Sequence, residues 1–320
     1  APPTTEQGAE MRLPFAVPAQ PSSLHVLVTG ASNGIGLATA RILASMQCRV
    51  LMGCRNVALG ESLASKMQQD TGNEHIRVVP LDLASLQSVR SLTQQLIDEK
   101  YPLNVLINNA GVFLPPKFKT SKEGVEIQMA VNYLGHFVLT QELLPLLLQN
   151  HPSRVVNVSS DAHRAVTTEE MLVNPTTQEL HVQTEETYSR LLAYACSKMC
   201  NVLHAQEIHR LHHPHISAFS LHPGVVNTGI FDDSLPSFLL PAFKWLAPML
   251  LRTPEKAALN VVYCAVSPDA APYSGGYLQN LRFLSPGSLA VGGENNNTYR
   301  GVTTLSQRVW QATEKLLAKL

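Results

Sequence analysis

Thr29-Gly30-Ala31-Ser32-Asn33-Gly34-Ile35-Gly36 separates an apolar run, His25-Val26-Leu27-Val28, from a helix-period run, Leu37-Ala38-Thr39-Ala40-Arg41-Ile42-Leu43-Ala44. The first run reads as a buried strand and the second as a helix, with a glycine-rich turn between them. That order aims backbone N–H groups and the positive end of a helix dipole at a diphosphate. Gly30 permits the tight turn, Gly34 lets the backbone approach a ligand, and Gly36 lets the helix pack close to the strand. A purely structural turn is the competing reading, because short glycine-rich loops also arise by chance.

Composition bounds the rest. A chain of 320 residues, 45% hydrophobic and with formal charge +0, can bury the core of one large α/β domain. The even charge balance argues against nucleic acid as the main partner, since no surplus of Lys and Arg is available for phosphates. Five cysteines, an odd number without a framework spacing, point to reduced thiols. Cys196 and Cys200 lie one helical turn apart but lack the usual zinc spacing, so they read as core packing and no metal site is expected. The chain opens at Ala1 rather than Met, which leaves an upstream segment open, and the proline-rich residues 1–23 read as an extended arm before a domain at 24–320. No run reaches the roughly eighteen apolar residues of a membrane span, so a cytoplasmic protein, or one peripheral on an intracellular membrane, is expected.

Further along, Arg49-Val50-Leu51-Met52-Gly53-Cys54-Arg55 is a second strand ending in a cation, followed by Asn56 and no acid. A carboxylate there would hold the ribose 2′-hydroxyl of NAD, whereas Arg accommodates the 2′-phosphate of NADP, so Arg55 points to NADP(H). A solvated strand-end arginine is the plain alternative. A helix at 57–69 and a strand at 76–80 lead to Asp82-Leu83, with Ser85 as the N-cap of a helix reaching Lys100. Val105-Leu106-Ile107 then runs into Asn108-Asn109-Ala110-Gly111, as a central parallel strand does where it meets a ligand crevice. Residues 124–150 carry helical periodicity and include Asn132, with His136 one turn on, where packing is the simpler explanation. Arg154-Val155-Val156-Asn157-Val158 is a buried strand ending in Ser159-Ser160. Tyr194 and Lys198, four apart in a helix, share one face, and an ammonium there would favour the phenolate. His209 and His213 precede the helix-ending Pro214 and read as a solvated turn. A strand at 216–221 ends in Pro223-Gly224-Val225-Val226-Asn227-Thr228. Residues 235–251 are rich in Leu, Phe, Pro and Trp, with Lys244 the one charge. They read either as an apolar substrate lid, with contact to a membrane surface, or as a helix buried against a second subunit of a homodimer. A helix at 254–266, a strand near Tyr277, a polar loop at 292–298 and an amphipathic helix at 303–320 complete the chain.

As a set, Thr-Gly-x-x-x-Gly-Ile-Gly, Asn-Asn-Ala-Gly, Ser, Tyr-x-x-x-Lys and Pro-Gly resemble the short-chain dehydrogenase/reductase family over about Leu24 to Leu320. Cys-Arg after the second strand, Asn-Tyr-Leu-Gly-His-Phe and Val-Ser-Ser-x-Ala-His look like its retinol dehydrogenase and WW-domain oxidoreductase branch. Protochlorophyllide reductases share several of these features, which makes chlorophyll-precursor reduction the alternative chemistry, but this chain keeps the active-site serine and has no long insertion before Tyr194. The resemblance implies an α/β fold, a three-layer doubly wound parallel sheet of the Rossmann type. It implies Ser160, Tyr194, Lys198 and Asn132 as the catalytic set, Asn132 holding a water in a proton relay. It implies NADP(H) bound by Gly30, Ser32, Asn33, Gly34, Ile35, Gly36, Arg55, Asn56, Asp82, Leu83, Asn109, Ala110, Gly111, Tyr194, Lys198, Pro223, Gly224, Val226 and Thr228. The expected reaction is hydride transfer between nicotinamide and a carbonyl or alcohol of a lipophilic molecule. A nucleotide-binding scaffold with little turnover is the rival reading.

Overall fold

The computed structural model describes residues 13–224, 253–284 and 304–320. Val226, Thr228, the lid at 235–251 and the loop at 292–298 lie outside the described residues, as do residues 1–12 of the arm.

The first half repeats one unit. β1 (His25–Thr29), α1 (Gly34–Ser45), β2 (Arg49–Cys54), α2 (Val57–Thr71), β3 (Ile76–Pro80), α3 (Leu86–Asp98) and β4 (Val105–Asn108) follow in turn. Strand side chains alternate between the two faces of the sheet. Val26 and Val28 of β1 join the core layer of α1 and α2, whereas Leu27 joins the opposite layer with Leu92 and Leu96 of α3. Short polar side chains set the helix starts: Asn33 accepts from Gly34 N–H, Asn56 from Leu59 N–H and Ser85 from Ser88 N–H. Ser85 therefore stands outside α3, which is shorter at both ends than the periodic run.

The second half is less regular. A three-residue α4 (Ile127–Met129) widens into a π turn (Ala130–Leu134) before α5 (Gly135–Gln149), so the helical segment expected from residue 124 is interrupted. β5 (Ser153–Val158), two short 3-10 turns, α6 (Arg190–His212), β6 (Ile216–His222), α7 (Pro254–Val266), β7 (Tyr277–Gln279), β8 (Arg282–Phe283) and α8 (Leu305–Leu317) follow. Tyr194 thus sits in the second turn of α6.

Among the described residues, eight strands order as β3-β2-β1-β4-β5-β6-β7-β8. Every pair is parallel except β7–β8 at the edge. The chain builds outward from β1 to β3, then restarts on the other side of β1 with β4. That reversal opens a crevice above the C-terminal ends of β1 and β4. The β7–β8 hairpin turns on Asn280 and Leu281, both with positive φ (54° and 59°). A leucine in that conformation hides the usual hairpin signal, which is why the sequence reading stops at β7.

Two peripheral segments are fastened to this core. Leu13 and Phe15 of the arm pack on the α1–α2–α7 layer, Phe15 meeting Tyr263 edge-on at 5.2 Å. α8 starts with a capping box, Thr304 with Gln307, and lies on α5 and α6. Its Trp310 meets Phe137 at 4.8 Å and His204 at 5.6 Å. Trp310→Ala should lower the unfolding free energy by about 3 kcal/mol in urea denaturation. A loss below about 1 kcal/mol would mean that α8 is not part of the cooperative fold.

Candidate active site

The loops leaving β1 to β6 all emerge on the crevice edge, and each carries part of the set read from the sequence. In the β1–α1 turn Gly30 and Gly34 have positive φ (66° and 53°). A Cβ at Gly30 would lie 2.9 Å from the Ala110 Cα, and one at Gly36 would overlap the Gly30 carbonyl and stand 2.5 Å from Asn109 Nδ2. These two glycines are demanded by the protein's own contacts between the turn and the Asn-Asn-Ala-Gly loop. The turn is locked there by Thr29: Asn109 N–H and Ala110 N–H each donate to its hydroxyl at 2.9 Å, and Asn109 Nδ2 donates to its carbonyl at 2.8 Å. Ser32 reaches sideways to the Cys54 thiol at the end of β2. Ile35 and Gly36 occupy the first turn of α1, whose N–H groups have no partner within the helix and are available to an anion.

Arg55 is exposed directly after β2, and Asn56 beside it caps α2. After β3, the Asp82 carboxylate accepts from Ala84 N–H at 3.0 Å while the Asp82 N–H donates to Ser88 Oγ at 3.0 Å. Both polar side chains are thus tied into turns, with Leu83 buried under Gly135.

On the other side of the crevice, Ser159 and Ser160 diverge. Ser159 is buried and donates to the Lys198 carbonyl at 2.7 Å. Ser160 is half-exposed, its hydroxyl oxygen accepts from Ala162 N–H at 3.2 Å, and its side chain lies within reach of the Tyr194 phenol, which it draws downward in pKa. Tyr194 lies under the edge of the Phe113 ring at 4.8 Å. Burial pushes the Tyr194 phenol up to about 12, with the Ser160 bond the opposing effect. Lys198 Nζ sits 5.6 Å from the Tyr194 ring centre but donates to the Val158 carbonyl at 3.0 Å. Burial also lowers Lys198 to about 8. The ammonium was expected to favour the phenolate; in this structure desolvation outweighs it, because both groups are almost wholly removed from water.

Asn132 lies in the π turn. Its Oδ1 accepts from Val112 N–H at 2.8 Å, and its Nδ2 donates to the Val112 carbonyl at 3.1 Å and to Ser197 Oγ at 3.0 Å. The amide is therefore a brace between the Gly111-Val112 segment and α6, and its side chain is fully engaged. A Cβ at Gly111 would lie 3.2 Å from Asn132 Oδ1 and 3.6 Å from Lys198 Nζ, so only backbone faces the ammonium there. After β6, Pro223 is buried and Gly224 turns the chain with φ of 95°. Together, a glycine-rich helix start, a backbone-only wall beside an ammonium and a Ser–Tyr pair suit a nucleotide whose reactive ring reaches Tyr194.

Residues 24–170 match the family described as short chain dehydrogenase. Human retinol dehydrogenase 12 is 37% identical over 296 residues, covering 91% of this chain and 85% of that protein. Retinol dehydrogenase 14 of Mus musculus is 38% identical over 279 residues, covering 82% and 80%. This chain belongs to the short-chain dehydrogenase/reductase family, in its retinol dehydrogenase-like branch. The crystal structure of an uncharacterized protein from Mycobacterium Paratuberculosis, 27% identical, superposes with a TM-score of 0.64 over 94% of this chain and 96% of that one. That of a short chain dehydrogenase from Shigella flexneri, 23% identical, has the same fold at a TM-score of 0.62 over 82% and 93%. Membership makes the chain an oxidoreductase that works with a nicotinamide nucleotide.

Sequence reasoning passed over several residues of this dehydrogenase's site. Asp161, next to Ser160, receives Tyr277 Oη at 3.3 Å and Gln279 Nε2 at 2.5 Å, and stands 3.5 Å from His222 Nε2. It fastens the Ser160 loop to β7 and to the end of β6 just before Pro223. No local motif marks these bonds, since His222, Tyr277 and Gln279 lie 61 to 118 residues away. His136 was assigned to packing, yet both ring nitrogens are bonded, to Thr29 and to Asn132. The five cysteines are buried and free. Among the described residues, no helix is long and apolar enough to cross a membrane.

Burial holds His136 down to about 4 and His204 to about 3, so both protonate more readily in the unfolded chain. Their contribution to stability is complete above the usual histidine value and is lost as pH falls from there towards 4. By linkage each should cost about 2 kcal/mol between pH 7 and pH 5. Urea unfolding at the two pH values should show that His204→Gln removes about 2 kcal/mol of the loss. An undiminished loss would mean that His204 does not titrate on unfolding.

Proposed function

We propose that this dehydrogenase uses NADP(H) to interconvert a carbonyl and an alcohol on a lipophilic small molecule of retinoid, steroid or aromatic type. The observation that carries the reading is the meeting of half-exposed Ser160 with the buried Tyr194 and Lys198 on the edge where the glycine turn opens. Bound NADPH supplies a hydride to the carbonyl carbon. Tyr194 gives its hydroxyl proton to the carbonyl oxygen in reduction and takes it back in oxidation. A phenol raised to about 12 is protonated at neutral pH, the state that reduction requires. Ser160 bonds the same oxygen as charge develops on it. Lys198, charged below its lowered value of about 8, holds the nicotinamide ribose. Asn132 serves by keeping Gly111 and α6 in register, with the proton path to water running past it.

The cofactor preference rests on Arg55, exposed after β2 where an acid would select NAD. The substrate class rests on three things: relatives bearing the name retinol dehydrogenase, the Phe113 ring against Tyr194, and the composition of 235–251. An apolar substrate of this kind partitions into membranes, which fits delivery at a membrane surface.

Purified protein with NADPH and a panel of retinoid, steroid and aromatic carbonyls should consume the reduced nicotinamide absorbance. Tyr194→Phe should cut kcat by about 10²-fold or more and leave NADPH affinity nearly unchanged. NADPH binding without turnover across the whole panel would favour a scaffold instead. Arg55→Asp should weaken NADPH binding about 10- to 100-fold, the worth of a hydrogen bond to a charged group, and NADH binding much less. Equal losses for the two nucleotides would remove Arg55 from the assignment.

A further inference from the structure

His136 is 1% exposed and lies in the first turn of α5, four residues after Asn132. Its Nδ1 is 3.0 Å from the Asn132 carbonyl oxygen, and its Nε2 is 2.8 Å from Thr29 Oγ1. A carbonyl can only accept, so Nδ1 carries the hydrogen. The neutral ring then presents a lone pair at Nε2, and the single Thr29 hydroxyl hydrogen goes to it at 2.8 Å rather than to the Ile107 carbonyl at 3.3 Å. With its hydrogen committed, the Thr29 oxygen accepts the N–H groups of Asn109 and Ala110. At the other end, the Asn132 side chain holds Val112 and bonds Ser197, whose hydroxyl donates to the Tyr194 carbonyl at 2.8 Å. The hydrogen bonds thus run without a break from the glycine turn to the catalytic helix, and they pass through one imidazole. A histidine kept for its bulk alone would not need both nitrogens matched to partners on separate elements.

We propose that His136 is a positioning residue that holds the Thr29 turn and the Asn132 carbonyl in fixed register, so that the nucleotide side and the Tyr194 side of the site move as one. The proposal rests on the oxidoreductase reading of that site and adds to it the residue that joins its halves. His136 touches neither substrate nor nucleotide in this arrangement; it acts through Thr29 and Asn132.

Three variants separate the two links. His136→Asn keeps a donor near Nδ1 for the Asn132 carbonyl, His136→Gln keeps an acceptor near Nε2 for Thr29, and His136→Leu keeps neither. With NADPH and a carbonyl substrate, His136→Leu should lower kcat about 10- to 100-fold with substrate KM changed by less than about 3-fold, as expected for misplaced catalytic groups. His136→Asn should recover most of kcat. Amide hydrogen exchange of Asn109 and Ala110 should quicken in His136→Leu and return towards the wild-type rate in His136→Gln. In the wild type, ¹⁵N spectra of the His136 ring at pH 7 should show Nδ1 protonated and Nε2 bare. The opposite tautomer would overturn the proposal whatever the variants do. So would a kcat that falls and an exchange that quickens in step with lost thermal stability, equally in all three variants. If the wild type reduces no carbonyl at all, the failure belongs to the proposed reaction, and the tautomer and exchange rates still decide the role of His136.

Discussion

The hydroxyl of Thr29 is fully buried and binds three neighbours at once, accepting from two N–H groups and giving its hydrogen to the His136 ring. Two of them are backbone N–H groups of the loop after β4, which would otherwise be buried without partners at about 1–3 kcal/mol each. Because β1 and β4 are adjacent only where the strand order reverses, this one hydroxyl fastens the turn at which the sheet changes direction. The glycines follow from it. Gly30 and Gly36 are needed because the turn is drawn so close to Asn109 and Ala110 that a methyl group at either place has nowhere to go. The geometry of the glycine turn is thus a by-product of a packing contact between two strands' ends.

On the catalytic side burial governs the charges. Tyr194 and Lys198 are both pushed towards their neutral forms, the phenol upward and the amine downward. Proximity alone suggests a phenolate–ammonium pair. The low-dielectric surroundings oppose both charges, and Lys198 turns to the Val158 carbonyl for its hydrogen bond. Only the Ser160 bond pulls the phenol down. The protein by itself therefore holds a proton donor, and the adjacent exposed edge is where a charged, hydroxyl-rich nucleotide would change that balance.

Much of the fold was legible because parallel strands buried on both faces read as continuous apolar runs. Short polar side chains such as Asn33, Asn56 and Ser85 mark where the helices between them begin. Many of the candidate residues were legible for a related reason: the Gly30 turn, Arg55, Asp82, Asn109, Ser160 and Pro223 each follow the end of such a strand, and the topology brings those ends to one edge, whereas Tyr194 and Lys198 show as a pair four apart in a helix. What escaped was non-local or conformationally odd. The π turn at Ala130–Leu134 keeps a helical pattern of apolar residues while changing its hydrogen bonding. Leu281 takes a backbone conformation that its side chain disfavours. Asp161 has partners on β6 and β7 that no spacing rule connects to it.

By itself, then, the sequence determined the order of strands and helices and the chemical types set at their junctions, since periodicity, glycine and capping residues act over a few neighbours. Only the tertiary structure decided which of those groups meet and in what charge state. Whether Asn132 is a brace or a free amide, whether His136 is filler or a link, and whether Tyr194 is acid or phenolate all depend on how far each is removed from water and on partners tens of residues away. Burial and hydrogen-bond direction are properties of the assembled crevice, and no stretch of chain carries them alone.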